Sequence, residues 1–66
     1  MKLTIHTERG VFVGLPFESQ KHQDDVANCV EEAVNGMAIS FSMMTENGNV
    51  LIGKGLIKTA VFVFGE

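Results

Sequence analysis

The stretch VLIGKGLIKTAVFVF, residues 50–64, is apolar at nearly every position and is interrupted once, by Gly53-Lys54-Gly55. As a single extended strand it would run about 50 Å, far longer than a usual strand in a globular protein. Glycines inside a strand pattern typically mark a bulge or a bend. The stretch therefore predicts a last strand that is long and bent, or split in two at the glycines.

A glycine-lysine-glycine sequence after a strand also raises the question of a phosphate-binding loop. Such a loop has the form G-x-x-x-x-G-K-[ST] and leads into a helix, whose first backbone N–H groups hold the anion. Here a glycine follows Lys54 where serine or threonine belongs, and the apolar pattern beyond it indicates another strand. The sequence therefore favours a bend over a phosphate site.

Two hairpins are predicted from the alternation of apolar and polar side chains. Their strands, together with the last strand, are expected at residues 2–7, 11–15, 37–45, 50–52 and 56–64. The second hairpin has the stronger turn signal, because Asn47-Gly48 favours a type I′ turn.

An amphipathic helix is predicted between the hairpins, over residues 20–35, with Ser19 as its N-cap and Gly36 at its C-terminal end. The apolar stripe of this helix consists of Val26, Cys29, Val30, Ala33, Val34 and Met37. The order of elements predicts an α+β fold: an antiparallel ββαββ sheet with one helix packed on one face, in a single domain of residues 1–66.

The small size of the chain makes oligomerisation the expected source of extra stability. Domains of 66 residues are marginal alone and usually depend on disulfides, a metal or a partner chain. The single cysteine excludes an internal disulfide and suits a reducing cytoplasm, or the host cytoplasm if the protein is viral. No zinc-type spacing is present, so no metal is expected.

The charge and hydropathy of the chain argue against nucleic acids and membranes as partners. The net charge is −3, and the five cationic side chains are scattered rather than clustered on a basic face. The apolar runs are shorter than the roughly 20 residues that span a bilayer, and residues 1–10 lack an apolar core of signal-peptide length.

One helix can cover only one face of the predicted sheet. We expect the covered face to carry Leu3, Ile5, Val11, Val13, Leu15, Ile39, Phe41, Met43, Val50 and Ile52. The open face would then carry Phe12, Met44 and Leu51, with either Phe62 and Phe64 or Val61 and Val63. The predicted oligomer interface is Phe12, Met44, Leu51, Ala60, Phe62 and Phe64. The alternative is a monomer in which residues 16–20 fold over the second face.

Only weak candidates for chemistry remain. His6, Arg9, Lys54 and Lys58 are candidate contacts for an anionic ligand, although lysine on a turn and histidine on a polar strand face are usually just solvated. Cys29 falls on the apolar stripe of the helix, where a free cysteine is commonly a small buried hydrophobe. No catalytic constellation emerges, so we predict a protein that is not an enzyme and has no cofactor.

The expected function is that of an oligomeric interaction module that acts by binding another protein. The alternative is a protein that sequesters a small anionic, nucleotide-like ligand between subunits. In size, acidity and layout the chain resembles the small accessory proteins with which phages block host defences. This resemblance of type implies an inhibitor of a host system and assigns no residues.

Overall fold

The computed structural model describes residues 1–66 and confirms the α+β fold with an amphipathic helix packed on antiparallel sheet. The elements in chain order are β1 (Lys2–Thr7), β2 (Gly10–Val13), α1 (Gln20–Val34), β3 (Ser40–Thr45), β4 (Gly48–Gly53), α2 (Lys54–Ile57) and β5 (Val61–Gly65). The predicted ββαββ order is therefore recovered, with a short second helix before the last strand.

The strands form two antiparallel sheets instead of the single sheet expected. One sheet has the order β2-β1-β5, and the other consists of β3 and β4. The two sheets meet where β2 ends, through an isolated bridge between Gly14 and Thr45 and a hydrogen bond of 3.1 Å from Leu15 N to Met44 O. At the same point Gly14 donates its own N–H to Leu3 O, at 2.8 Å, so Gly14 and Leu15 bond to one sheet each.

Gly14 makes this junction possible because it has no side chain. A Cβ atom at this position would lie 2.7 Å from Met43 Sδ and 3.1 Å from Leu3 O. Both distances are tighter than ordinary van der Waals contacts, and the second involves backbone that is held by strand pairing. A larger residue would therefore require the Met43 side chain to move and the backbone near Leu3 to shift.

Helix α1 begins and ends where its capping residues predict. Ser19 adopts an extended conformation, and its hydroxyl accepts a hydrogen bond from His22 N at 3.1 Å. At the other end Gly36 has φ +79°, Gly36 N donates to Ala33 O, and Met37 N donates to Glu32 O at 2.9 Å. This pair of bonds is the Schellman arrangement, which satisfies carbonyls that the helix leaves free.

The buried part of the helix stripe is narrower than the sequence predicts. Val30 and Ala33 are buried and Val26 is half-buried, whereas Cys29, Val34 and Met37 are exposed. Cys29 and Val34 lie at the flanks of the stripe, and Met37 lies beyond the last helical turn. The expectation that Cys29 and Met37 are buried is wrong, because α1 contacts small sheets that cover only the centre of its apolar face.

The last long stretch is split at the glycines, but by a helical turn rather than a bend in a strand. Helix α2 spans four residues, and its Ile57 is buried in the core. Strand β5 consequently begins only at Val61, later than expected. The expectation that a strand directly follows the glycines is therefore wrong. A helix of one turn with no side-chain cap, and with glycine after Lys54 where serine or threonine belongs, still does not match a phosphate-binding loop.

The hydrophobic core is small and lies between the helices and the inner faces of the two sheets. Its buried apolar residues are Leu3, Ile5, Val30, Ala33, Phe41, Ile52 and Ile57. Only nine of the 66 residues are buried in all, which keeps the domain in the marginal size class. Four residues expected in this core are exposed instead: Val11, Val13, Leu15 and Ile39.

The pairing of β1 with β2 explains two of these errors. Ile5 lies opposite Phe12 and His6 lies opposite Val11, so Phe12 shares the inner face with Ile5. Val11 and Val13 therefore point outward. Side chains alternate with a period of two, so misplacing the register by one residue exchanges the two faces.

Candidate interaction surface

Four valines form an open apolar surface on the outer face of the three-stranded sheet, and we call this surface the valine face. Its members are Val11, Val13, Val61 and Val63. They lie in two rows across the sheet, because His6 pairs with both Val11 and Val61, and Thr4 pairs with both Val13 and Val63. The valines of β2 and β5 thus flank the polar side chains of β1.

The valine face is exposed because neither helix lies over it. The exposed fractions are 55% for Val11, 44% for Val13, 58% for Val61 and 45% for Val63. Single exposed apolar residues are normal on protein surfaces, whereas large contiguous apolar patches are typical of interaction sites. On this face the valine pair of β2 and the valine pair of β5 are separated by Thr4 and His6 of β1. Covering the exposed half of each valine would contribute roughly 0.8–1.5 kcal/mol by area.

A groove continues from the valine face toward the second hairpin. It has a volume of about 430 Å³ and lies between the end of β2 and the turn that joins β3 to β4. Val11, Val13 and Leu15 line its apolar side, and Glu46 and Asn47 line its polar side. The groove therefore extends the apolar surface and adds hydrogen-bonding groups at its rim.

The predicted interface residues divide into two groups. Met44 and Leu51 are exposed, by 55% and 68%, on the outer face of the two-stranded sheet, where Ser42 pairs with Leu51. The other four are half-buried and pack against the core: Phe12, Ala60, Phe62 and Phe64. The placement of the three phenylalanines on an open face is therefore wrong, and the valine pair of β5 faces solvent instead.

Ring contacts hold the two phenylalanines of β5 on the core side. Phe62 lies edge-on to Phe41, with ring centroids 5.6 Å apart, and Phe64 stacks on Phe17 at 6.0 Å. Phe17 belongs to residues 16–20, so this segment covers the core side and not the outer sheet face. Since both faces of β5 are apolar, its sequence alone did not decide between the two pairs.

The candidate anion contacts lie toward one end of the three-stranded sheet. His6 is exposed on the valine face, and Arg9 lies in the turn directly beyond it. Val61 pairs with His6, so the segment from Lys58 enters the sheet at this same end, with Lys54 at the start of α2. The two salt bridges in the structure join Met1 to Glu66 and Lys21 to Asp25, so none of these candidates is in an ion pair.

The remaining chemistry of the surface is sparse. No group of three or more His, Cys, Asp or Glu side chains is placed to hold a metal ion. Cys29 is exposed on α1, and His22 accepts a hydrogen bond from Glu18 N at 3.2 Å. Neither helix has the length and hydropathy that a membrane span requires.

Fold and surface together define a small α+β protein with one helix-covered sheet face and one open, valine-rich face. Comparison of the chain with protein-family models, curated proteins and solved structures found no match. Sequence reasoning missed Val11 and Val13 as surface residues. The missed signal is the repeated Thr-Glu-x-Gly sequence at 7–10 and 45–48, which sets the register of both hairpins.

Proposed function

We propose that the protein is a non-catalytic interaction module that works as a homo-oligomer and binds another protein through the valine face. The observation that carries this proposal is the set of four half-exposed valines on one sheet face. The single exposed Cys29 suits a reducing environment, and we place the protein in the cytoplasm.

The valine face suits protein binding because it is rigid as well as apolar. Valine is stiff at χ1, and strand pairing fixes the backbone beneath each side chain. Little conformational entropy is therefore lost when a partner covers the surface, and association is less costly than it would be on a loop. Thr4 and His6 lie between the valines of β2 and the valines of β5 and supply polar groups that orient a partner.

The small size, acidity and open apolar face fit a phage-type accessory protein that blocks a host system by binding one of its components. A second candidate is a protein that holds an anionic, nucleotide-like ligand between subunits. The observation favouring it is the placement of His6, Arg9 and Lys58 toward one end of the sheet, free of ion pairs.

The proposed function is tested by native mass spectrometry of tagged protein purified from the cells that naturally contain it. We expect an oligomer that retains a protein partner in the wild type. Val13→Lys places a charge in the valine face and should lower partner retention at least about tenfold, or about 1.4 kcal/mol. Val34→Lys is the matched control, because Val34 is 60% exposed on the last turn of α1, away from the sheet.

Three results would count against the proposal. A monomer with nothing bound would exclude an oligomeric binding module. Equal partner retention in Val13→Lys and Val34→Lys would exclude the valine face as the binding surface. Retention of a nucleotide-like ligand in place of a protein would support the second candidate.

A further inference from the structure

Strand β5 has an edge that pairs with no other strand. It pairs with β1 on one side only, because the sheet order is β2-β1-β5. Its sequence, Val-Phe-Val-Phe-Gly, contains no charge and no proline. Proteins usually protect such an edge with lysine, proline, a bulge or a covering element, since a free edge accepts another strand.

The hydrogen-bonding pattern identifies the backbone groups that this edge presents. Gly14 N donates to Leu3 O, so Leu3 directs its backbone groups toward β2. In an antiparallel ladder successive residues point to opposite neighbours, so Thr4 directs its groups toward β5 and its partner Val63 points back. The outward N–H and C=O groups of β5 therefore belong to Phe62 and Phe64.

We propose that β5 pairs with β5 of a second copy, antiparallel, about a two-fold axis at Val63. In this register Phe62 lies opposite Phe64 of the second copy, and Val63 lies opposite its own equivalent. All the outward groups of both residues are then used, because each carries one donor and one acceptor. An axis through Phe62 would place Phe64 opposite Ala60 of the second copy, whose N–H already donates to Ile57 O. An axis through Phe64 would place Phe62 opposite Glu66, which lies outside β5.

The side chains favour the same register. Phe62 and Phe64 are only partly buried at the rim of the core, despite their contacts with Phe41 and Phe17. Pairing brings Phe62 next to Phe64 of the second copy on the inner face, and cross-strand aromatic pairs stabilise sheets. A second copy therefore covers the part of these rings that Phe41 and Phe17 leave open.

Pairing also joins the two valine faces into one. The strand order becomes β2-β1-β5 followed by β5-β1-β2 of the second copy, with the two Val63 side chains meeting at the axis. The inference rests on the proposed function, since the partner-binding surface is complete only when both copies contribute their valines. It adds the site and register of self-association.

Disulfide trapping tests the register, in a Cys29→Ser background that removes the native exposed thiol. Across the axis the two Val63 positions form a pair without backbone hydrogen bonds, with Cα atoms about 4.5 Å apart, which suits a disulfide. Val63→Cys should therefore give a covalent dimer under mild oxidation. Val61→Cys is the matched control on the same face, because its two copies would be about 13 Å apart along the strands.

A second pair of variants tests the same register without changing Val63, in case the Val63→Cys substitution itself disturbs β5. The register places Val61 opposite Gly65 of the second copy, and a Cβ atom at Gly65 has nothing within 4 Å. A mixture of Val61→Cys and Gly65→Cys chains should form the mixed disulfide, while each chain alone should not form a dimer.

The outcomes separate the register from the proposed function. If sedimentation shows wild-type oligomers but Val63→Cys and the mixed pair both fail to cross-link, the register is wrong while the oligomer stands. Efficient self-linking of Val61→Cys would point to another register or to face-to-face packing, and would also overturn the inference. A wild-type monomer at micromolar concentration would overturn both.

Discussion

The β1–β2 and β3–β4 hairpins close on the same turn. Residues 7–10 read Thr-Glu-Arg-Gly and residues 45–48 read Thr-Glu-Asn-Gly. In each turn the threonine Oγ1 donates to the glycine carbonyl, at 2.9 Å and 2.8 Å, and accepts from the third residue's N–H at 3.1 Å. The closing glycines, Gly10 and Gly48, have φ of +133° and +113°. In each hairpin, a local sequence of four residues thus specifies the turn.

The two hairpins differ in their surroundings. The first gains β5 as a third strand and carries the valine face, whereas the second remains two-stranded and exposes Met44 and Leu51. Thr45 is buried beside the junction with Gly14, while Thr7 is half-buried at a free end. The same turn should therefore contribute differently to the free energy of unfolding in the two hairpins, because tertiary contacts exclude more water from the second turn than from the first.

The largest expected effect tests whether the two hairpins share one core. Ile5 in β1 and Ile52 in β4 are 1% and 2% exposed. Ile5→Ala and Ile52→Ala should each lower the free energy of unfolding by about 2–5 kcal/mol. Because the chain has no Trp or Tyr, unfolding is best followed by far-UV circular dichroism in urea, at one fixed protein concentration.

The control for this comparison is Leu51→Ala, since Leu51 neighbours Ile52 but is 68% exposed. Its effect should stay within about 0.5 kcal/mol. A shared core requires one cooperative transition in both isoleucine variants. Separate melting of part of the signal in Ile52→Ala would show that the β3–β4 hairpin is an independent unit.

A smaller effect is expected at the two turn glycines. Gly10→Ala and Gly48→Ala place a side chain at φ values that L residues rarely adopt, which costs about 1–3 kcal/mol. An added Cβ meets no atom within 4 Å at either position, so the loss reports backbone strain rather than a clash. Equal losses would show that the two turns are locally equivalent, and urea unfolding measures both.

Gly55→Ala is the control for backbone strain. Gly55 lies in α2, has no positive φ, and also has open space around its Cβ position. Alanine there should be neutral or should stabilise by up to about 1 kcal/mol, because glycine is a poor helix former. Losses at Gly10 and Gly48 no greater than the change at Gly55 would exclude strain as the cause.

Local sequence signals predicted the positions of the helices and strands better than they predicted which face of each strand is buried. Ser19 and Gly36 mark the ends of α1 as expected, and alternation locates β1 and both hairpins. The turn at Asn47-Gly48 was wrong by one residue: the loop is Glu46-Asn47, and no residue other than glycine has positive φ, so it is not a type I′ turn. In the observed turn the Thr45 hydroxyl donates to Gly48 O and accepts from Asn47 N.

The candidate surface depended on information that lies outside each strand. Val61 and Phe62 both belong to an apolar run, and only pairing of β5 with β1 decides which of them faces the core. Likewise, the two sheets meet where Gly14 bridges to Thr45, and these two residues lie far apart in the sequence. Tertiary contacts of this kind leave no periodic signal in the sequence.

The smallest expected effect concerns the turn threonines. Thr45→Val removes a hydroxyl that bonds Gly48 O and Asn47 N in a part-buried setting, and should cost about 1–1.5 kcal/mol. Thr7→Val removes the same two bonds where the bonding atoms are exposed and water can replace them, and should cost about 0.5 kcal/mol. Thr59→Val is the control, because the exposed Thr59 side chain makes no hydrogen bond. Urea midpoints of the single and double variants measure the difference, and the two losses should add if the hairpins act independently. Equal losses at Thr7 and Thr45 would mean that burial adds nothing to the turn, and that the two hairpins differ only in the strands around them.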